Sequence, residues 1–394
     1  MIRINFLLAM LATAIAVAAQ DQIPEQTTPA APASPQEQVE QKSEEAGKSD
    51  GKSAFKKVLS IFSEVKIGGL GVAQYQASTQ EGAKENSFIL RYIRLSLEGR
   101  ICKDFFFKIQ GQLNGNTNNL GSSPRLLDAF LEWQRLPYLK IKIGQYKRPF
   151  TIENPLHPVD QGFMNYSQST LKLAGMSDRI GEHASNGRDI GLQIQGDFLP
   201  DHSGRNLLHY QIGVFNGQGI NTKDTDKKKD IIGGAWVAPV KGLRIGGFGW
   251  LGTYTRGNVT LDRKRYAISA EYDNYDWIVR SEYVHSYGYS FKTTYQNPSS
   301  ATDLTINEEA GAFADGFYVL CVAPIIKGKL YGKARYDMYR PRKEWSTSRA
   351  QYEIGAHYDL RKHFRVSAEY ARIHDRSLAT PGYNIFDIQV SFRF

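Results

Sequence analysis

The sequence predicts an all-β fold: a transmembrane, sixteen-stranded antiparallel β-barrel with a disordered N-terminal periplasmic tail. Three observations lead there: the alternation of the last strand, the lack of any apolar run long enough for a helix to cross lipid, and a rhythm of long and short connections. Over residues 383–394, Phe386, Ile388, Val390, Phe392 and Phe394 alternate with Asp387, Gln389, Ser391 and Arg393. A period of two is a β-strand, and here one face is apolar and the other polar. A soluble sandwich would turn the apolar face to a core. A strand that closes on an aromatic fits better with that face on lipid and the polar face on a water-filled lumen. Beyond the first 19 residues no apolar run reaches the roughly 18 residues of a helical span. A membrane protein without helices must be a closed barrel, because nothing else satisfies its backbone groups in lipid. Alternation also explains how a mean hydropathy of −0.43 can look soluble.

The elements follow in chain order. Residues 1–19 read as a signal peptide: Arg3 is the positive start, residues 6–18 the apolar stretch, and Ala16, Ala18 and Ala19 suit cleavage before Gln20. Residues 20–56 are rich in Pro, Gln, Glu, Ala and Ser, too poor in large apolar side chains to fold, and read as a low-complexity periplasmic segment. Residues 53–64 offer either a short amphipathic helix or a lead-in to the first strand. The barrel is expected over residues 57–394.

Strands are expected at 65–77, 87–101, 104–115, 125–135, 138–146, 187–198, 207–216, 229–239, 242–255, 263–273, 276–287, 315–326, 328–339, 349–359, 362–373 and 383–394. That is an even number, as single-chain bacterial barrels require. Short turns are expected at 103–104, 136–137, 199–206, 240–241, 274–275, 327 and 360–361. Long connections are expected near 78–86, 116–124, 147–186, 217–228, 256–262, 288–314, 340–348 and 374–382, so that long and short alternate throughout. Short periplasmic turns, long external loops and two periplasmic termini would produce this rhythm. Tyr75, Tyr92, Tyr254, Trp277, Tyr283, Tyr339, Tyr358 and Tyr370 lie near strand ends, as interfacial girdle residues do.

Alternation also names the lumen. Roughly twelve basic side chains face inward, among them Arg94, Arg100, Lys108, Lys140, Lys142 and Arg335. About eleven carboxylates oppose them, including Glu98, Asp128, Glu132, Asp197, Glu353 and Asp387. The formal net charge is +9; residues 20–56 hold seven Asp/Glu against four Lys, so setting them and Arg3 aside leaves about +11 on the remainder. Behind a signal peptide, nucleic acid is excluded as a partner, and anions in a pore fit the basic balance. Most of the positive excess falls in loops, as at Lys147 and Arg148, residues 227–229 and residues 340–343. Paired wall charges can equally be salt-bridge ladders that stiffen the barrel.

No catalytic arrangement stands out among the eight scattered histidines, so an enzyme is not expected. Cys102 and Cys321 lie in a tight turn and a strand, and no bridge, metal cluster or cofactor is expected. The acidic residues Glu308, Glu309 and Asp315, and the pair Asp224 and Asp226, read as solvated loop charge.

Several pieces resemble the phosphate-selective porin O and P family: GQYKRPF at 144–150, RYIRLSLEG at 91–99, DAFLEW at 128–133 leading to KIKIGQ at 140–145, GRDIG at 187–191, YQIGVFNG at 210–217 and ARYD at 334–337. The likeness runs from about residue 60 to the end. It implies a sixteen-stranded bacterial outer-membrane porin, usually a homotrimer embedded in outer-membrane lipid, whose third external loop folds into the lumen. It also implies passive diffusion of small hydrophilic solutes, with arginines and lysines guiding phosphate-like anions. Arg94, Arg100, Lys108, Lys140, Lys142, Lys147, Arg148 and Arg335 are the candidate pore-lining, anion-guiding residues. The alternative is a non-conducting barrel whose external loops bind or adhere.

Overall fold

A computed structural model describes residues 62–114, 124–180, 185–294, 303–361 and 363–394. The segments read as signal peptide and tail lie outside the described residues, and of the 53–64 stretch Phe62–Glu64 are strand. The barrel strands are β1 (Phe62–Ser78), β2 (Glu85–Ile101), β3 (Phe105–Gln112), β4 (Arg125–Leu136), β5 (Leu139–Lys147), β6 (Arg188–Pro200), β7 (Asn206–Phe215) and β8 (Asp230–Val237). They continue as β9 (Leu243–Arg256), β10 (Val259–Asp273), β11 (Ile278–Tyr287), β14 (Phe313–Ile326), β15 (Leu330–Arg340), β16 (Arg349–Arg361), β17 (Phe364–Asp375) and β18 (Gly382–Arg393). A small hairpin, β12 (Ser290–Thr294) and β13 (Asp303–Asn307), sits in the β11–β14 connection. Each barrel strand pairs antiparallel with its neighbour, and β1 pairs with β18 to close a sixteen-stranded barrel. All sixteen expected strands are present within a few residues of their expected bounds.

The alternation sorts side chains as read from the sequence. On β18, Phe386, Ile388, Val390 and Phe392 are 39–44% exposed while Asp387, Gln389 and Ser391 are 2–7% exposed. A lumen that buried its polar face to this degree has something inside it, which the loop described below supplies.

Three expectations need correction. The β9–β10 connection, expected as a long loop over 256–262, is a two-residue turn, Gly257-Asn258. The strands run on because Leu261 and Arg263 keep alternating inward, where Leu261 packs on Tyr254 and Ile180. Long and short connections therefore do not alternate without exception. The expected loop over 288–314 holds the β12–β13 hairpin, whose Phe291 ring meets that of Tyr254 edge-on at 5.8 Å. Tyr92, Tyr254 and Tyr339 belong to the inward face and are not girdle residues; position near a strand end is a weaker guide than parity. Trp277, Tyr358 and Tyr370 are exposed as expected.

Closure depends on a glycine seam. Gly69 exchanges backbone hydrogen bonds with Phe394 at 3.1 and 3.2 Å, and Gly71 stands opposite Phe392. A Cβ on Gly71 would lie 2.1 Å from the Phe392 ring, and one on Gly69 would lie 2.4 Å from the Phe394 ring. The two rings thus cover bare backbone on the outer face, a pairing that restores apolar contact over strand glycines. Gly71→Val is expected to lower the fraction of barrel that resists unheated SDS, whereas Gly249→Ala, with no atom within 4 Å of its added Cβ, leaves it near wild type. Heat-modifiable gel mobility reads both.

Candidate pore constriction

The connection between β5 and β6, residues 148–187, does not stay at the rim. Its described part folds into the lumen and carries a short helix, α1 (Gln168–Leu173), capped by Ser167, whose side chain accepts from the Thr170 backbone N–H at 3.2 Å. A segment with so little secondary structure leaves most backbone donors and acceptors without internal partners, and a buried orphan costs roughly 1–3 kcal/mol. The wall supplies the partners. Carboxylates accept from loop N–H groups: Glu282 from Ile152 (2.7 Å) and Glu153 (3.0 Å), Glu369 from Met164 (2.9 Å), Asp337 from Gln168 (2.8 Å). Cations donate to loop carbonyls: Arg365 to Val159 (2.9 Å), Arg280 to Gln161 (2.9 Å), Lys333 to Gly162 (3.1 Å), Arg335 to Asn165 (2.8 Å) and Arg265 to Leu173 (2.8 Å).

Behind the loop lies an apolar core. Phe150, Ile152, Leu173 and Ala174 pack on Ile232, Phe248, Trp250, Ala267, Val284 and Ala314 of the wall. Strand β9 shows why: Phe248 and Trp250 face inward while Ile245 and Leu251 are exposed outward, so the strand is apolar on both faces, as a strand covered on both sides should be. Trp250 is the hub. Its Nε1 donates to Asp230 at 2.7 Å, and the guanidiniums of Arg148, Arg263 and Arg265 lie 4.8, 4.5 and 4.8 Å from its ring.

Arg265 also grips the loop at Asp178 through two contacts of 2.6 and 2.7 Å. Burial pushes the Asp178 carboxyl up, but Arg265, with Arg263 behind it, more than offsets this and holds it at about 2. His157, also in the loop, is pushed down to about 4 by burial, against the pull of Asp160. Arg179 continues the anchoring, donating to the carbonyls of Gly311 (2.9 Å) and Pro341 (3.3 Å).

The eight candidate residues separate into three groups. Arg148 and Arg335 hold the loop and do not line open lumen: Arg148 is fully buried against Asp189 at 3.0 Å, and Arg335 pairs with Glu353 at 2.7 Å. Their roles as pore-lining groups are corrected, because alternation gives a side chain's face but not what covers it. Lys108, Lys140, Lys142 and Arg100 do face the lumen, each paired: with Glu98 (3.1 Å), Asp197 (2.8 Å), Glu132 (3.3 Å) and Glu64 (3.1 Å). They are ladder rungs. Arg94 and Lys147 differ. Arg94 donates to the Gln112 side chain at 3.0 Å and lies 4.1 Å from the Tyr92 ring centre; Lys147 donates to the Leu156 carbonyl and to the Tyr166 hydroxyl. Neither has a carboxylate within ion-pair distance among the described residues; each lies within electrostatic reach of Arg188 and of the Asp128 carboxylate.

One residue at the constriction was missed. Val72 pairs with Tyr92 but Ala73 pairs with Leu90, so Arg91 is the extra residue of a β-bulge. A bulge re-aims side chains, and here Arg91 turns to the lumen and donates to Gln74 at 2.8 Å. The signal was present in sequence: the outward residues shift from even (Phe88, Leu90) to odd (Ile93, Leu95) across Arg91.

Residues 69–243 match the family model described as phosphate-selective porin O and P. Over these strands the chain is similar to that family. The match spans β1 to the start of β9, so the ARYD piece on β15 lies beyond it. No curated protein matches in sequence. Among solved structures, an anion-selective porin from Comamonas acidovorans aligns with TM-score 0.60 at 13% identity, over 84% of this chain and 99% of that one. OmpF of Salmonella typhi, in complex with daunomycin, aligns with TM-score 0.59 at 12% identity, over 84% and 97%. The outer-membrane channel DcaP of Acinetobacter baumannii aligns with TM-score 0.56 at 12% identity, over 84% and 97%. These likenesses show the porin fold.

The Asp178 anchor gives a pH prediction. Asp178 is held below its ordinary value, so its contribution is complete above about pH 4 and is lost as pH falls from there through about 2. Asp178→Asn is expected to lower the melting temperature at neutral pH, by a loss on the order of 2 kcal/mol. The gap to wild type should close below about pH 4, which calorimetry across the acid range checks.

Proposed function

We propose that the protein is an outer-membrane porin: a water-filled conduit for passive diffusion of small hydrophilic solutes, with a modest preference for anions. The observation that carries this is the closed barrel narrowed by an inward loop, with Arg94 and Lys147 unmatched by carboxylates beside the gap that remains. A paired wall charge contributes little net field, whereas an unmatched cation at a narrow point raises the local anion concentration. The family name points to phosphate; the paired state of Lys108, Lys140 and Lys142 supports a milder, general anion preference. Both termini are proposed to be periplasmic, residues 1–19 to be a cleaved signal and 20–56 a periplasmic segment ahead of the barrel at 57–394. A structural neighbour, OmpT of Vibrio cholerae, carries a trimer form in its description, and a homotrimer is proposed here.

In planar bilayers, reversal potentials across a salt gradient should show anion preference at low salt that weakens toward molar salt. Arg94→Gln with Lys147→Gln should lower the anion-to-cation permeability ratio severalfold. Absence of any conductance would favour the closed, loop-binding alternative. For topology, Thr225→Cys and Lys241→Cys, each in a background with Cys102 and Cys321 changed to Ser, should label from opposite sides of the membrane; labelling of both from one side contradicts the orientation.

A further inference from the structure

A cavity of about 300 Å³ lies between the inward loop and the wall of β1, β2 and β16–β18. Its lining holds five charged side chains, and the protein itself already occupies each of them. Glu353 pairs with Arg335 at 2.7 Å, and Glu369 pairs with Lys333. Arg349 donates to Gln168 Oε1 at 2.7 Å and to the Tyr383 hydroxyl at 3.0 Å, with Asp375 at 3.5 Å. Asp387 accepts from Gln74 Nε2 at 3.0 Å and Asn165 Nδ2 at 3.1 Å, while Arg91 donates to Gln74 Oε1 at 2.8 Å.

The neutral part of the lining is in the opposite condition. Gln76, Ser177, Asn186 and Gln351 line the cavity, and among the described residues none of these side chains makes a hydrogen bond. Two of the atoms concerned, the donor Asn186 Nδ2 and the acceptor Gln351 Oε1, are buried. A buried polar atom without a partner carries its full desolvation penalty. These four positions therefore gain from a solute that supplies partners, whereas the charged ones would first have to give theirs up. Three of the four are carboxamides, which offer a donor and an acceptor side by side with no net charge. The group that complements such a pair is a hydroxyl, which donates and accepts at once; a carboxylate only accepts and an ammonium only donates. Leu171, Met176 and Tyr166 line the loop side and give the C–H faces of a small ring an apolar surface.

We infer that this cavity binds neutral polyhydroxylated solutes of the sugar class through Gln76, Ser177, Asn186 and Gln351. The inference rests on the porin reading and names a solute class for the same pore. Arg94 and Lys147, which carry the proposed anion preference, are not part of this lining.

The test uses the full-length protein in planar bilayers with three probes. They are glucose; glucuronate, the same ring with a carboxylate; and tetraethylene glycol, a neutral chain of similar mass whose oxygens are mostly ethers. Potassium chloride conductance is recorded first; no conductance sinks the porin reading and this inference with it. In a conducting pore, glucose is expected to interrupt the current at a concentration about tenfold below that of tetraethylene glycol, the factor that one or two extra hydrogen bonds supply. Glucuronate is expected to act no better than glucose. Gln351→Leu and Asn186→Leu are each expected to cut the glucose advantage severalfold. Glucose no better than tetraethylene glycol, or glucuronate clearly better than glucose, overturns the inference and leaves the porin reading standing. So does an undiminished glucose advantage in both variants. Heat-modifiable mobility shows whether each variant is folded; where one is not, the wild-type comparison of the three probes decides.

Discussion

Every backbone N–H and C=O that sits at membrane depth must find a partner within the protein, and the rest of this structure depends on that constraint. It forces each strand to pair on both sides and hence forces β1 to meet β18. The meeting is made over Gly69 and Gly71, where strand backbone would otherwise be bare, by the rings of Phe394 and Phe392. Once the ladder closes, strict alternation sends every second residue inward. The wall's charges follow from the geometry of closure.

The same constraint acts a second time inside the barrel. The inward loop has only a six-residue helix, so its backbone groups must be satisfied by side chains. Wall cations meet loop carbonyls and wall carboxylates meet loop amides. A wall ion pair such as Lys333 with Glu369 serves both needs at once, since Lys333 donates to Gly162 and Glu369 accepts from Met164. This accounts physically for a lumen nearly balanced in charge. Charges placed this deep are costly unless paired and hydrogen-bonded, and Lys333, Glu369, Arg335 and Arg265 each have both kinds of partner. The apolar patch around Trp250 adds burial that the ionic contacts alone do not provide.

What remains for solute is the space between the loop and the wall of β1, β2 and β16–β18. Its character comes from Arg94 and Lys147, with no carboxylate at ion-pair distance among the described residues, and from Arg91, turned inward by a bulge. The loop therefore shapes the pore twice, by filling one side and by drawing the paired charges to itself.

The sequence by itself determined the barrel, its strand number, the face of nearly every strand residue and the connection that enters the lumen. These depend on period-two patterning, chain length and the requirement for closure, all of which are local or global properties of a single string. It also contains the parity shift at Arg91. Only the tertiary structure decided which inward charges meet water. Arg148 and Lys147 are adjacent in sequence, yet one is sealed against Asp189 and Trp250 and the other reaches Tyr166 beside the gap. Cover and pairing are set by where a 40-residue loop lies across a barrel, through contacts between residues such as Asn165 and Asp387 that are 222 positions apart. Periodicity along a strand carries no information about contacts of that range.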